Sequence, residues 1–145
     1  MAKILMTISL ALIVSSCDLF CAGTECSVPP PSFKLELLDA DTGEDLFLTG
    51  VLDSTSIQVR NSINESLYLD FSSWKSRRIF TIYELQIGPA YYTVTIEPDL
   101  EFRIDADVVE KHNKCCTSYQ TNYFDIEEYE YNKSTSTDIY TVLIN

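Results

Sequence analysis

The sequence has little histidine, little positive charge and no long apolar run, and each shortage argues against a class of function. Its single histidine accompanies neither a Gly-x-Ser-x-Gly nor a His-Glu-x-x-His motif, so common hydrolase and zinc-protease signatures are missing. Ten basic residues stand against 22 acidic ones, for a formal charge of −12. Because nucleic-acid binding relies on positive charge, we expect no nucleic-acid partner. We name no catalytic residue and no cofactor, and expect a protein that is not an enzyme.

The most apolar stretch lies at the N-terminus and is too short to cross a membrane. Residues 4–14 hold eight strongly apolar side chains, whereas a helix spanning about 30 Å of hydrocarbon needs roughly 20 residues. Lys3 precedes this stretch, and the small residues Ser15 and Ser16 follow it. A basic start, a short apolar core and a small-residue exit predict a cleaved signal peptide over residues 1–16.

The end of that stretch, Val14-Ser15-Ser16-Cys17, resembles the lipobox of bacterial lipoproteins. The resemblance implies a diacylglyceryl group on the Cys17 sulfur, cleavage before Cys17, and acylation (palmitate, for example) of the new N-terminus. Each buried methylene contributes about 0.8 kcal/mol, so two or three chains would form a durable membrane anchor. The resemblance to a lipobox therefore implies a lipid-anchored protein of the cell envelope, located at the outer membrane. The alternative is an ordinary secretory signal cut near residues 21–23, which would release the protein.

Cysteine usage fits an exported chain. With Cys17 lipidated, an even number of cysteines remains, which predicts two disulfides in one of three connectivities. His112 also precedes two adjacent cysteines, a pattern that could suggest zinc. Adjacent strand residues point to opposite faces, however, and would chelate one ion poorly. Disulfides are therefore favoured, with the candidates Cys21, Cys26, Cys115 and Cys116. Cys115 and Cys116 could bond to Cys21 and Cys26, or they could bond to each other.

The segment 17–32 is predicted to be a tether, because it carries three consecutive prolines and shows little periodicity. From residue 33 to 145 the apolar residues recur with a period of two, which predicts strands. Turn signals separate the predicted strands, which involve 33–37, 45–49, 57–59, 67–71, 79–85, 91–97, 100–106 and 139–144, together with one strand or two over 117–131. Residues 107–114 are expected to form a loop or one helical turn. We expect one all-β domain, an antiparallel β-sandwich of about seven to nine strands, with a small β-barrel as the alternative.

The first two predicted strands flank Asp39-Ala40-Asp41-Thr42-Gly43-Glu44, which is turn chemistry. This predicted hairpin resembles one in uncharacterised envelope lipoproteins of Bacteroidota-type bacteria, and in transthyretin-like and carboxypeptidase-regulatory-like sandwiches. The resemblance implies a sandwich, export and no established activity. The carboxylates of Asp39, Asp41 and Asp45 alternate as in a calcium loop, but the glycine falls at the fifth position rather than the sixth. An aspartate-rich turn is favoured, and no metal is expected.

One basic cluster interrupts the acidic chain. Removal of residues 1–16 takes away only Lys3, so the mature charge becomes 9 − 22 = −13. Trp74 lies close to Arg77 and Arg78, on an expected loop between two strands. A tryptophan beside arginines is a common anchor in binding surfaces. These three residues are the candidate ligand site, although a tryptophan that caps the end of the core is the simpler interpretation.

The sequence therefore predicts a lipid-anchored envelope protein that acts as a binding or assembly module. The expected partners are the membrane, through the anchor, and an envelope protein or a glycan. Two alternatives stay open. One is a small carboxylate-dependent hydrolase or carbohydrate-active protein, which would need two suitably spaced carboxyls. The other is a purely structural envelope component.

Overall fold

A computed structural model describes residue 29, residues 31–113 and residues 116–145 of the chain. The chain divides into two compact units, one of residues 1–29 and 111–118 and the other of residues 30–110 and 119–145. In the described part of the first unit, Ser118 Oγ donates a hydrogen bond to the Lys111 carbonyl over 3.3 Å. The predicted signal peptide and almost all of the predicted tether lie outside the described residues.

The described part of the chain is all-β, as the sequence predicts. Its strands are β1 (Phe33–Asp39), β2 (Gln58–Asn61), β3 (Leu69–Trp74), β4 (Arg77–Ile82), β5 (Gly88–Ile96), β6 (Leu100–Asn113), β7 (Cys116–Ile126), β8 (Glu130–Lys133) and β9 (Ile139–Ile144). They form a five-stranded sheet in the order β3-β4-β1-β9-β8 and a four-stranded sheet in the order β2-β5-β6-β7. Two separate sheets make a β-sandwich, so the small barrel is not the architecture.

Strand β1 shows how alternation builds the sandwich. Phe33, Leu35 and Leu37 are buried and belong to the hydrophobic core, whereas their neighbours along the strand point to the opposite face. The core also contains Tyr92, Val94 and Ile104 of the four-stranded sheet, so it lies between the sheets. Edge-to-face rings join the two layers, with the centroids of Phe33 and Tyr92 6.3 Å apart.

The pairing of β1 differs from the expected hairpin. Strand β1 lies between β4, which runs antiparallel to it, and β9, which runs parallel to it. The predicted strand over 45–49 is wrong, because only Asp45 forms an isolated bridge, to Leu38, and a turn follows. Asp45 Oδ1 accepts the backbone N–H groups of Phe47 and Leu48, and this caps a helical turn instead of extending the chain.

Two further boundaries differ from expectation. Residues 107–113, predicted to form a loop or a helical turn, continue β6. Val108 is buried and continues the alternation of buried and exposed side chains along β6. Packing therefore determines the structure of this segment in spite of its polar composition. The predicted loop over 74–78 is wrong, because this segment is a tight hairpin in which Trp74 pairs with Arg77. Lys75 and Ser76 form its turn with φ of 48° and 60°, which are the positive values of a type I′ turn.

Candidate functional site

The outward face of the five-stranded sheet is partly apolar. Three buried side chains, Leu38, Ile79 and Ile139, do not belong to the core cluster. Each alternates with core residues of its own strand, which places it on the outward face. Apolar residues on an outward face are informative, because the strand residues that face water are normally polar.

A groove of about 430 Å³ crosses this face. It is called the tryptophan groove here and is lined by Lys34, Ser72, Ser73, Trp74, Ile79, Thr137 and Ile139. Strand pairing brings these residues together, since Lys34 lies opposite Ile139 and Ser72 lies opposite Ile79. Trp74 is 43% exposed and forms one wall, so it keeps apolar surface that a ligand could cover.

Positive charge surrounds Trp74. Lys75 Nζ lies 4.3 Å from the centroid of the Trp74 ring, within the range of a cation–π contact. Arg77 is the cross-strand partner of Trp74 and therefore shares its face. Together with Lys34 these residues place three cations on one face of a protein whose net charge is −12.

A nearly buried carboxylate holds Arg77. Arg77 Nη1 lies 3.7 Å from Glu36 Oε2, and Thr141 Oγ1 donates a hydrogen bond to Glu36 Oε1 over 2.5 Å. Glu36 is only 8% exposed. Although Arg77 Nη1 is buried, no described residue accepts a hydrogen bond from it. The ion pair draws the Arg77 guanidinium toward Glu36, although the side chain stays partly exposed.

The structure separates Arg78 from the other two predicted binding residues. Arg78 pairs with Ser73, so it lies on the face opposite to that of Trp74 and Arg77. Its backbone N–H donates to Asp45 Oδ2 over 2.6 Å, and its guanidinium lies 5.2 Å from the centroid of Phe71. Of the predicted cluster, Trp74 and Arg77 thus lie on the same face, whereas the backbone of Arg78 connects the loop after β1 to the sheet.

A second groove crosses the outward face of the four-stranded sheet. It holds about 270 Å³, is called the tyrosine groove here, and is lined by Pro89, Ala90, Tyr91, Asp105, Ala106, Asp107 and Tyr123. Tyr91 is 38% exposed and Tyr123 is 54% exposed. This groove is not among the sites predicted from the sequence, because its residues lie on three strands. The available signal was the polar alternation of Glu101, Arg103, Asp105 and Asp107 along β6.

Arg103 lies beside the tyrosine groove, between carboxylates and an aromatic ring. Its Nη2 bonds to Asp105 Oδ1 over 2.6 Å, its Nε lies 4.0 Å from Glu127 Oε1, and its guanidinium carbon lies 4.3 Å from the centroid of Tyr91. The hydrogen bond to Asp105 is the main cause that raises the pKa of Arg103. The arginine stays charged and neutralises part of an acidic surface.

The three aspartates of the calcium alternative have different surroundings. Asp39 Oδ1 accepts the backbone N–H groups of Asp41 and Thr42 and the Thr42 hydroxyl. The hydrogen bond from the Thr42 backbone is the largest cause that lowers the pKa of Asp39. Asp45 is buried and binds three backbone N–H groups, and Asp41 is exposed. The contacts of Asp39 and Asp45 are those of an aspartate-rich turn.

Of the five cysteines, only Cys116 is described, and it is disulfide-bonded. Cys17, Cys21, Cys26 and Cys115 lie outside the described residues, so lipidation and the disulfide connectivity stay predictions. His112 Nδ1 lies 3.2 Å from Thr117 Oγ1. Among the described residues, no group of three or more His, Cys, Asp or Glu side chains is arranged to hold a metal ion.

Across the residues that the structure describes, no helix has the length and apolarity to cross a membrane. No protein family, curated protein or solved structure shows detectable similarity to this chain.

Proposed function

We propose that this protein is a lipid-anchored module of the cell envelope that binds a protein partner through the tryptophan groove. The observation that carries the proposal is the outward apolar floor of Ile79 and Ile139 beside the exposed ring of Trp74. Energetically important residues of protein interfaces are enriched in tryptophan and arginine, and Trp74 and Arg77 share this face.

The groove favours a partner segment that presents an apolar side chain next to carboxylates. Ile79 and Ile139 can accept the apolar group, and burial contributes about 25 cal/mol for each Å² removed from water. Lys34, Lys75 and Arg77 border the same face and attract negative charge. Because the rest of the chain is strongly acidic, these cations would also orient an acidic partner toward this one face.

Two properties prepare the site for binding. The Glu36–Arg77 pair restricts the arginine before a partner arrives, which lowers the entropy that binding must overcome. The tight hairpin at Lys75 and Ser76 holds Trp74 at the end of β3. The predicted anchor on Cys17 would keep the groove near the membrane, with the proline-containing tether as a spacer.

Site-specific photocrosslinking in intact cells tests the groove. A benzophenone amino acid replaces the exposed Ser72, which lines the groove, or the exposed Gln58 on the four-stranded sheet as the matched control. We expect a discrete adduct at position 72 that disappears with the added change Trp74→Ala. Identical adducts at both positions, or no adduct at position 72, would refute the groove as the binding site and favour a purely structural component.

The anchor is tested separately by the intact mass of membrane-extracted protein. We expect a mature chain that begins at Cys17 and carries the added mass of acyl groups. A mature chain that begins at any other residue would contradict the anchor. Replacement of Cys17 by Ser should release the protein from membranes, whereas replacement of Ser16 by Gly should preserve the anchored form.

A further inference from the structure

The tyrosine groove is not used by the proposed partner interaction and has its own chemistry. Tyr91, Asp105 and Asp107 come from β5 and β6, and Tyr123 comes from β7. Two exposed rings thus border two carboxylates, and the described residues that line the groove include no lysine or arginine. Exposed aromatic side chains next to carboxylates form the kind of site that binds organic cations.

The protein already contains one internal contact of this kind, in which an arginine binds an aromatic ring and a carboxylate. The Arg103 guanidinium packs over the Tyr91 ring and pairs with Asp105, at the edge of the groove. A planar guanidinium can stack on a ring and donate to a carboxylate at the same time, which an ammonium group does less well. This arrangement shows the geometry that the surface provides for an arginine side chain.

The other half of the groove repeats the same two components. Tyr123 provides the more exposed ring, and Asp107 provides the carboxylate, which accepts a hydrogen bond of 3.4 Å from Asn122 Nδ2. Among the described residues, no lysine or arginine side chain lies over the Tyr123 ring. Charge also favours a cation at this position, because the outward face of β6 over residues 101–107 carries Glu101, Asp105 and Asp107 against the single cation of Arg103.

We propose that the tyrosine groove binds an arginine side chain of a basic peptide segment. The incoming guanidinium packs against the ring of Tyr123 and pairs with Asp107, as Arg103 does with Tyr91 and Asp105. The peptide backbone lies along the exposed strand β7, at the edge of the four-stranded sheet. This site faces away from the tryptophan groove, so the two grooves can be occupied independently.

A labelled peptide of alternating glycine and arginine tests the proposal by fluorescence anisotropy with the full chain in uncharged detergent. The control peptide contains citrulline, which has the shape of arginine without its charge. We expect Asp107→Asn to weaken binding of the arginine peptide about fivefold and Tyr123→Leu about threefold. Asp70→Asn removes the same charge from the outward face of the other sheet and should change affinity less than about twofold.

Three outcomes would overturn this inference. Equal losses for Asp107→Asn and Asp70→Asn would mean attraction to the net charge alone. Equal binding of the citrulline peptide would remove the role of the guanidinium. Binding of cellopentaose that requires Tyr123, without binding of the arginine peptide, would make the groove a glycan site. Circular dichroism of each variant identifies unfolding, and Tyr123→Phe should retain binding if the ring is what matters.

Discussion

Asp45 offers the sharpest test of how the loop after β1 is held, because one nearly buried carboxylate replaces the strand pairing that the sequence predicts. Its Oδ1 accepts Phe47 N–H at 2.9 Å and Leu48 N–H at 3.0 Å, and its Oδ2 accepts Arg78 N–H at 2.6 Å. The residue is 7% exposed. We therefore expect substitutions at this position to destabilise the protein far more than substitutions at other turn aspartates.

The expected magnitude follows from the number of acceptors that are removed. Asp45→Ala leaves three backbone donors without their acceptor, and each lost bond to a charged group is worth about 1.5–3 kcal/mol. Water at the loop can replace some of the lost hydrogen bonds. The free energy of unfolding should therefore fall by about 4 kcal/mol in total, within the range known for broken buried networks. Asp45→Asn keeps one oxygen but places an amide N–H₂ near Arg78 N–H, and should cost about 2 kcal/mol.

Urea unfolding of the disulfide-intact protein, followed by circular dichroism, measures these differences. With an m-value of about 1.5 kcal/mol/M, the midpoint should fall by roughly 2.5 M for Asp45→Ala and by about half as much for Asp45→Asn. The matched control is Asp41→Ala, which removes the same charge from an exposed position of the same loop and should cost less than about 0.5 kcal/mol. Similar midpoints for Asp45→Ala and Asp41→Ala would refute the reasoning.

Two further predictions concern pH and the hairpin. Burial raises the pKa of Tyr92, whose hydroxyl accepts the Gln86 N–H over 2.9 Å. The neutral form is therefore favoured in the folded state: this stabilisation is complete below the unfolded pKa of about 10 and is lost as pH rises through the folded pKa. Between about pH 8 and pH 11, the urea midpoint of Tyr92→Phe should fall less than that of the unchanged protein, and equal slopes would contradict this. The turn Lys75-Ser76 has positive φ values, and a type I′ turn prefers Asn-Gly at these positions. Replacing Lys75-Ser76 by Asn-Gly should therefore raise the free energy of unfolding by about 0.5–1 kcal/mol. A lower urea midpoint would show that the lost contact between Lys75 and Trp74 outweighs the relief of backbone strain.

Local pattern was sufficient for much of the fold. The period-two alternation of β1 identifies its core residues, and the polar turn after Asp39 forms with the hydrogen bonds that its aspartate and threonine side chains predict. The same alternation could have separated Arg77 from Arg78, because neighbours in a strand point to opposite faces. The rule does not apply to the loop predicted over 74–78, but it does apply to the observed hairpin. The error came from the turn, since Lys-Ser is not a usual type I′ sequence.

Strand partners and both grooves depended on the tertiary structure. The sequence by itself determined that the chain alternates, that its surface is acidic and that a lipobox-like motif ends at Cys17. It did not determine that β1 pairs with β9 rather than with its neighbour in sequence, because pairing depends on where long-range burial places each strand. Only the assembled sheets place Ile79 and Ile139 in one groove and Tyr91 and Tyr123 in another. Each pair comes from strands that a third strand separates, so no local pattern in the sequence marks it.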